Sequence, residues 1–351
     1  MDALTLDGPG VVTFRTDVPD PVVQGPGDAV VAVTAAGLCG SDLHPYEGRE
    51  ASRPGVVPGH EAVGEVVATG DGVTSVRVGD RVVVPFTTSC GTCRACVRGV
   101  TARCRRSLLL GWGSPDDASR VVHGTQAGLV RVPDADGTLV PLTATVDDRL
   151  GVLLADNLPT GAEAVERARV TAGDVLVVVG CGAVGLCAVA MARAGGVRTV
   201  VAVDPVPGRR ERAASLGALP AAPDDAPAVV ADASDGEGAA GAVEAAGPPP
   251  AARLAASLLR PGGVLSTIAV QTSDRFPLTP VDAYDGNLTL AYGRASARAR
   301  IPGLLDDLAA GRLTLDVDLL VTHDVSLSEG PALYRRSAER EPGLVKAVLR
   351  P

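Results

Sequence analysis

Apolar residues in the first third of the chain come in short, β-branched runs broken by turn residues. Val30-Val31-Ala32-Val33-Thr34, Ala62-Val63-Gly64-Glu65-Val66-Val67 and Asp80-Arg81-Val82-Val83-Val84 read as strands, with Gly37, Pro58-Gly59 and Gly70-Asp71-Gly72 as the breaks between them. A β-rich first lobe follows. Near Leu150 the pattern changes to helical apolar stretches alternating with β runs. Val175 to Val179 is apolar throughout, as in a strand covered on both faces of a parallel sheet. Thr199-Val200-Val201-Ala202-Val203, Ala228-Val229-Val230, Ala242-Val243-Glu244-Ala245 and Gly263 to Ile268 continue the alternation and predict an α/β, doubly wound domain. The stretch from Pro205 to Pro250, rich in Ala, Pro, Gly and Asp, reads as surface loops and small-residue helices of that domain. The expected division is 1–156 for the β-rich lobe, 157–293 for the α/β domain, and 294–351 for a return that completes the first lobe.

A length of 351 residues suits two such domains, and 46% hydrophobic with 21% charged residues is the balance of a globular chain. The 32 basic and 41 acidic residues leave a net charge of -9, and no basic run could follow a phosphate backbone, which argues against nucleic acid as a partner. The amino terminus has no basic start followed by an apolar stretch, and no uncharged apolar run approaches the ~18 residues of a membrane span, so a cytoplasmic location away from membranes is expected. Aromatic residues make up only 2%, so Val, Leu and Ala must build the cores and small side chains must line much of any pocket.

Four of the seven cysteines fall between 90 and 104. Cys90, Cys93, Cys96 and Cys104 have the spacing C-x2-C-x2-C-x7-C, short enough for one loop to wrap four thiolates around a zinc ion and leave no open position. That arrangement is structural rather than catalytic, and Arg94, Arg98, Arg103, Arg105 and Arg106 are near enough in sequence to offset its negative charge. An iron–sulfur cluster can use similar spacings, and free thiols are the plainer alternative; zinc is the favoured reading.

After the strand Val175 to Val179 comes Gly180-Cys181-Gly182-Ala183-Val184-Gly185 and then an apolar helical stretch. A G-x-G-x-x-G in this strand–turn–helix setting is the fingerprint of a dinucleotide pyrophosphate site. Asp204 closes the next strand, where a carboxylate can accept hydrogen bonds from the adenosine ribose hydroxyls and repel a 2′-phosphate. NAD is therefore expected over NADP, a preference tempered by Arg209 and Arg210. Cys181 and Cys187 read as small packing residues.

Two further stretches carry ligand-type residues, Gly37-Leu38-Cys39-Gly40-Ser41-Asp42-Leu43-His44 and Pro58-Gly59-His60-Glu61. Alone each is weak, because a single Cys is usually a small buried residue and a single His a packed or exposed one. Together with the cysteine loop and the glycine fingerprint they resemble the zinc-dependent medium-chain dehydrogenase/reductase family, on its alcohol, sorbitol and threonine dehydrogenase side, over essentially the whole chain.

The resemblance implies a GroES-like catalytic domain beside a Rossmann domain, two zinc ions per chain, NAD, a small-molecule alcohol or ketone substrate, and a homodimer or homotetramer. It carries catalytic zinc over to Cys39 and His60. The stretch Ala155-Asp156-Asn157-Leu158-Pro159-Thr160-Gly161 supplies Asp156 as third ligand, against the plainer reading of a helix N-cap, with Glu61 an alternating ligand or a supporting carboxylate. Ser41 and His44 match the family's proton relay, Thr160 its nicotinamide contact, Lys346 a basic residue on the cofactor phosphates, and Phe86 and Trp112 its substrate pocket. Where many relatives have a bulky aromatic and a His, this chain has Ala162-Glu163, which makes the nicotinamide region roomier or differently charged.

The donor set also makes chemical sense by itself. One thiolate and one carboxylate neutralise Zn²⁺ and leave the fourth position to water or to an alcohol whose pKa the cation lowers. The expected activity is hydride transfer between an alcohol, secondary or polyol, and NAD. A biosynthetic reductase of conjugated alkenes or imines, and a silent NAD-binding protein, are the alternatives; neither needs the complete set of Cys39, His60 and Asp156.

Overall fold

The computed structural model describes all residues except 115 and 118–120. Contacts divide the chain into two compact units. The first comprises Met1–Asp156, Ser296–Leu305 and Val321–Pro351; the second comprises Asn157–Ala295 and Asp306–Leu320. The chain thus re-enters the first unit in two pieces.

The first unit is built on β1 (Ala3–Gly8), β2 (Val11–Arg15), β3 (Ala29–Leu38), β4 (Ala62–Thr69), β5 (Arg81–Val84), β6 (Leu129–Val132) and β7 (Val140–Pro141). Two strands from the carboxyl-terminal part, β14 (His323–Ser326) and β15 (Ala347–Arg350), join them. β1 and β2 form a hairpin, and the large sheet runs β14-β15-β3-β4-β5-β7 with β6 also paired to β3. All of its pairings are antiparallel except β14 with β15. Val31, Val33, Val66, Val82, Val84, Leu110 and Leu139 meet Leu333 and Tyr334 from the carboxyl-terminal helix Gly330–Ala338 in one aliphatic core. The three strands expected early in the chain lie within β3, β4 and β5.

The second unit is a six-stranded, wholly parallel sheet in the order β10-β9-β8-β11-β12-β13. Its strands are β8 (Val175–Val179), β9 (Thr199–Val203), β10 (Leu219–Ala221), β11 (Ala239–Glu244), β12 (Leu259–Thr267) and β13 (Thr289–Tyr292). Every residue of β8 is buried, as its unbroken apolar run requires. Strand order reverses beside β8, and at such a switch point a parallel sheet opens a crevice beyond the carboxyl ends of its strands.

One predicted strand is a helix. Ala228-Val229-Val230 lies in the helix Ala226–Ala233, with Pro227 in its first turn. Ala226 and Val230 are buried and Val229 and Ala233 half-buried, an i, i+3, i+4, i+7 stripe that faces the core while the positions between it face solvent. Three apolar letters in a row concealed a helical period of 3.6. The strands β10 and β13, short and partly exposed, were not foreseen. Among the described residues no helix is long and apolar enough to cross a membrane.

Candidate functional site

In the first unit, the end of β3, the turn into β4 and the carboxyl end of the helix Asp148–Ala155 deliver Cys39, His60, Glu61 and Asp156 to one place. One donor atom from each lies within 4.8 Å of the others. Asp156 Oδ2 is 3.5 Å from Cys39 Sγ and 3.6 Å from His60 Nε2. Those spacings fit a zinc ion, since bonds of about 2.0–2.3 Å in a tetrahedron put ligand atoms roughly 3.3–3.8 Å apart. Asp156 caps the end of one helix rather than starting the next, so the plain N-cap reading does not describe it. Ser41 Oγ touches the same cluster, 3.3 Å from Cys39 Sγ and 3.4 Å from His60 Nε2. Phe86 is buried and presents its ring edge-on to His60, with centroids 6.3 Å apart.

Crowded donors with no cation between them repel. Burial pushes the Cys39 thiol up from its ordinary value, and the neighbouring Asp156 and Glu61 carboxylates push it further. Burial opposes charge on His60, yet Asp42 and Asp156 outweigh it and hold the imidazole well above the usual histidine range. Burial likewise raises Glu61 to about 7 even with an ammonium beside it. This is the electrostatics of a site arranged for a positive ion.

Asp42 orients two of the ligands. Its Oδ2 accepts from the Cys39 backbone N–H at 2.9 Å, and its Oδ1 lies 3.1 Å from His60 Nδ1, at ion-pair distance although not aligned as a hydrogen bond. With Nδ1 turned to the carboxylate, the imidazole presents Nε2 to the ligand cluster.

Glu61, fully buried, is ion-paired with Lys346, whose Nζ also donates to Leu38 O at 3.2 Å. Gly37 makes this possible, because a Cβ there would overlap the Glu61 carboxylate and the Lys346 ammonium. The expectation that Lys346 lies on cofactor phosphates is corrected: its side chain is 1% exposed and its charge is held by Glu61 inside the first unit. A buried ammonium needs a paired anion close by.

The cysteine loop forms a second cluster, with Cys90, Cys93, Cys96 and Cys104 donor atoms mutually within 4.8 Å. Cys93 Sγ is 3.6 Å from Cys96 Sγ and 3.9 Å from Cys104 Sγ. Backbone N–H groups of Cys90, Cys93 and Arg106 point at sulfur, as they do around thiolates. Backbone hydrogen bonds draw Cys93 down to about 6, while burial and neighbouring thiols push Cys96 up to about 12. The four thiols are one coupled set able to hold a zinc ion. The five nearby arginines are exposed, and Arg106 pairs with Asp134 at 2.5 Å.

In the second unit, Gly180 takes the positive φ of 96° that turns the chain out of β8, and a side chain at Gly185 would strike the Gly180 carbonyl. The helix Ala183–Ala194, capped by Gly182, thus begins directly over the crevice with its N–H groups outward. Asp204 is buried, its oxygens accepting from the Cys181 and Val206 N–H groups at 2.8 Å each. Arg209 stands 3.9 Å away, and Arg210 donates to the carbonyls of Asp204 and Pro205.

Models of two families match: the alcohol dehydrogenase GroES-like domain over residues 25–144 and the zinc-binding dehydrogenase domain over residues 183–310. A probable zinc-binding alcohol dehydrogenase of Mycobacterium tuberculosis is 38% identical, covering 100% of this chain and 89% of the relative. The zinc-type alcohol dehydrogenase B of Aspergillus flavus is 41% identical over 88% of this chain and 72% of the relative. The solved alcohol dehydrogenase TADH of Thermus sp. ATN1 superposes with a TM-score of 0.91 at 34% identity, covering 100% of this chain and 99% of that one. The chain belongs to the zinc-dependent medium-chain dehydrogenase family. It is an alcohol-dehydrogenase-type oxidoreductase, with the GroES-like and Rossmann folds of that family.

Within this medium-chain dehydrogenase not every anticipated residue joins the cluster. His44 is buried with Nδ1 3.4 Å from Glu50 Oε1, turned to that carboxylate rather than to Ser41. Trp112 is half-buried, and no hydrogen bond or ring contact ties it to the site among the described residues. Thr160 is buried in the helix Asn157–Ala168. Glu163 of the divergent Ala162-Glu163 pair is closed onto Arg167, which also donates to Gly293 O at 2.7 Å, so its charge is compensated where it stands. Sequence reasoning passed over Asp42, although an acid three residues after Cys39 is the spacing at which a carboxylate returns to a backbone N–H. It also passed over Gln126 and Tyr334, for which the sequence carries no signal.

Proposed function

We propose that the protein oxidises a secondary alcohol or polyol reversibly to the carbonyl compound, with NAD as hydride acceptor, at a catalytic zinc held by Cys39, His60 and Asp156. The observation that carries this reading is the buried, tetrahedrally spaced donor set with Ser41 at its edge. Bound zinc supplies a Lewis acid that makes the substrate hydroxyl acidic near neutral pH. Asp42 fixes the His60 ring and the Cys39 backbone, Ser41 Oγ receives the substrate proton, and Phe86 bounds the site on the His60 side. His44 passes the proton outward in this reading, with Glu50 as its polar neighbour. Glu61 supports the site from behind, its carboxylate balanced by Lys346. The cysteine cluster holds a second zinc that orders its loop.

Gly180, Gly182, Ala183, Val184 and Gly185 bind the pyrophosphate, Thr160 meets the nicotinamide, and Asp204 accepts from the adenosine ribose. NAD is favoured over NADP because Arg210 is already engaged by two backbone carbonyls, which leaves Arg209 alone to receive a phosphate beside the Asp204 charge. The complete donor set speaks against a reductase of conjugated alkenes or imines, whose chemistry does not require it.

A homo-oligomer belongs to the same reading. Supporting it, β13 is an edge strand whose Tyr292 stacks on Phe276 at 5.3 Å, with Phe276, Val281 and Tyr284 exposed nearby; soluble proteins usually cover such an edge. The test is NADH formation from a panel of secondary alcohols and polyols, with NADP⁺ run in parallel. Turnover with NAD⁺ is expected. Inertness toward every alcohol, with NADPH consumed by an enone or an imine, would overturn the reading.

A further inference from the structure

A buried chain of polar side chains runs from the carboxyl-terminal helix to the metal ligands. Tyr334, on the helix Gly330–Ala338, is completely buried, and its hydroxyl donates to Gln126 Oε1 at 2.8 Å. Gln126, also completely buried, donates through Nε2 to Gly37 O at 3.0 Å and to Asp42 Oδ2 at 3.4 Å. A carbonyl and a carboxylate can only accept, so the amide orientation is fixed: Nε2 faces them, Oε1 faces Tyr334, and the phenol must be the donor. Without that hydroxyl, Oε1 would lose its hydrogen-bond donor inside the core.

The chain ends on a carboxylate that acts on two ligands at once. Asp42 Oδ2 receives both Cys39 N–H and Gln126 Nε2, while Oδ1 faces His60 Nδ1. Two donors on one oxygen limit rotation of the carboxylate, and that limit keeps the other oxygen against the imidazole. The Tyr334 ring also packs on Tyr46, centroids 5.4 Å apart, in the short helix Leu43–Tyr46 that follows Asp42.

We propose that Tyr334, acting through Gln126, is a positioning residue for Asp42, and that this link from the carboxyl-terminal helix sets how firmly Cys39 and His60 hold their cation. The inference rests on the zinc site proposed above. Removing an outer partner of a metal ligand costs about 10–100-fold in metal affinity or activity; Gln126 and Tyr334 stand one and two steps further out, so a smaller effect of about 3- to 10-fold is expected.

The test follows zinc release from the isolated full-length protein to a chromogenic chelator, for the native chain and for Tyr334→Phe, Gln126→Met, Asp42→Asn and the pairwise combinations. Tyr334→Phe keeps the ring packing and removes only the hydroxyl, which guards against a Gln126 variant that fails to fold. Zinc leaving the cysteine cluster is the internal reference and should keep its native rate. The link predicts release from the other site about 3- to 10-fold faster in Tyr334→Phe and in Gln126→Met. Tyr334→Phe should add nothing once Asp42→Asn is present, because the residues act in series. Release at the native rate in both single variants, or multiplicative effects in the combinations, would overturn the link and leave the zinc site standing. A native chain with no zinc outside the cysteine cluster would overturn both.

Discussion

Lys346 and Glu61 form an ion pair closed inside the first unit, with side-chain exposures of 1% and 0%. The pair stands against the missing side chain of Gly37 and beside Cys39 and Asp156. It balances one of the three acidic groups crowded there. Its partners lie 285 residues apart in sequence, so it also ties β15 to the turn that precedes β4.

Lys346→Met leaves the Glu61 carboxylate buried and unpaired, and destabilisation by about 3–5 kcal/mol is expected in urea unfolding at neutral pH. Adding Glu61→Met should recover more than half of that loss. A single variant as stable as the native chain would show that the pair is open to solvent.

Gly37→Ala places a Cβ on the same pair, and since both side chains are enclosed they cannot move aside freely. Overpacking of this kind costs about 1–3 kcal/mol, again read from urea unfolding. In Lys346→Met/Glu61→Met the penalty should change, because the groups it strikes are different.

Asp136 provides a pH test away from the metal sites. Slight burial works against its charge, but the Ser75 and Thr74 N–H groups and hydroxyls outweigh it and hold the carboxyl down at about 2, against 3.8 ordinarily. A folded-state pKa below the unfolded one means that the stabilisation is complete above about pH 4 and is lost as pH falls through about 2. Asp136→Asn should therefore be less stable than the native chain by about 1 kcal/mol near neutrality, a low figure for an exposed charge. The gap should close as unfolding is repeated between about pH 4 and pH 2.

Asp204→Ala tests the cofactor reading. Losing a charge-assisted contact to the ribose is worth about 1.5–3 kcal/mol, roughly 10- to 100-fold in KM for NAD, while KM for NADP should fall or hold. Equal effects on both cofactors would mean that Asp204 serves only to hold the Cys181 and Val206 backbone.

What the sequence disclosed was local. Cys90, Cys93, Cys96 and Cys104 lie in one loop, and Gly180 to Gly185 in one turn, so spacing alone carries their geometry. The parallel sheet was legible because β8 is apolar at every position. The helix over Ala228 to Val230 was also legible in principle, through the stripe of Ala226, Val229, Val230 and Ala233, but three adjacent apolar residues resembled a strand. Contacts made across the fold were not legible. Nothing near Lys346 indicates Glu61, and nothing near Gln126 indicates Tyr334, 208 residues away. The family's general placement of a basic residue on the cofactor led toward the wrong partner for Lys346.

The most direct test of the account is zinc content per chain, measured with alcohol-dependent NADH formation, for the native protein and for Cys39→Ala. Two donor groups predict two zinc ions in the native chain, and one remaining in Cys39→Ala together with loss of turnover. A single zinc in both proteins, with turnover unchanged by the substitution, would contradict the catalytic site built here on Cys39, His60 and Asp156.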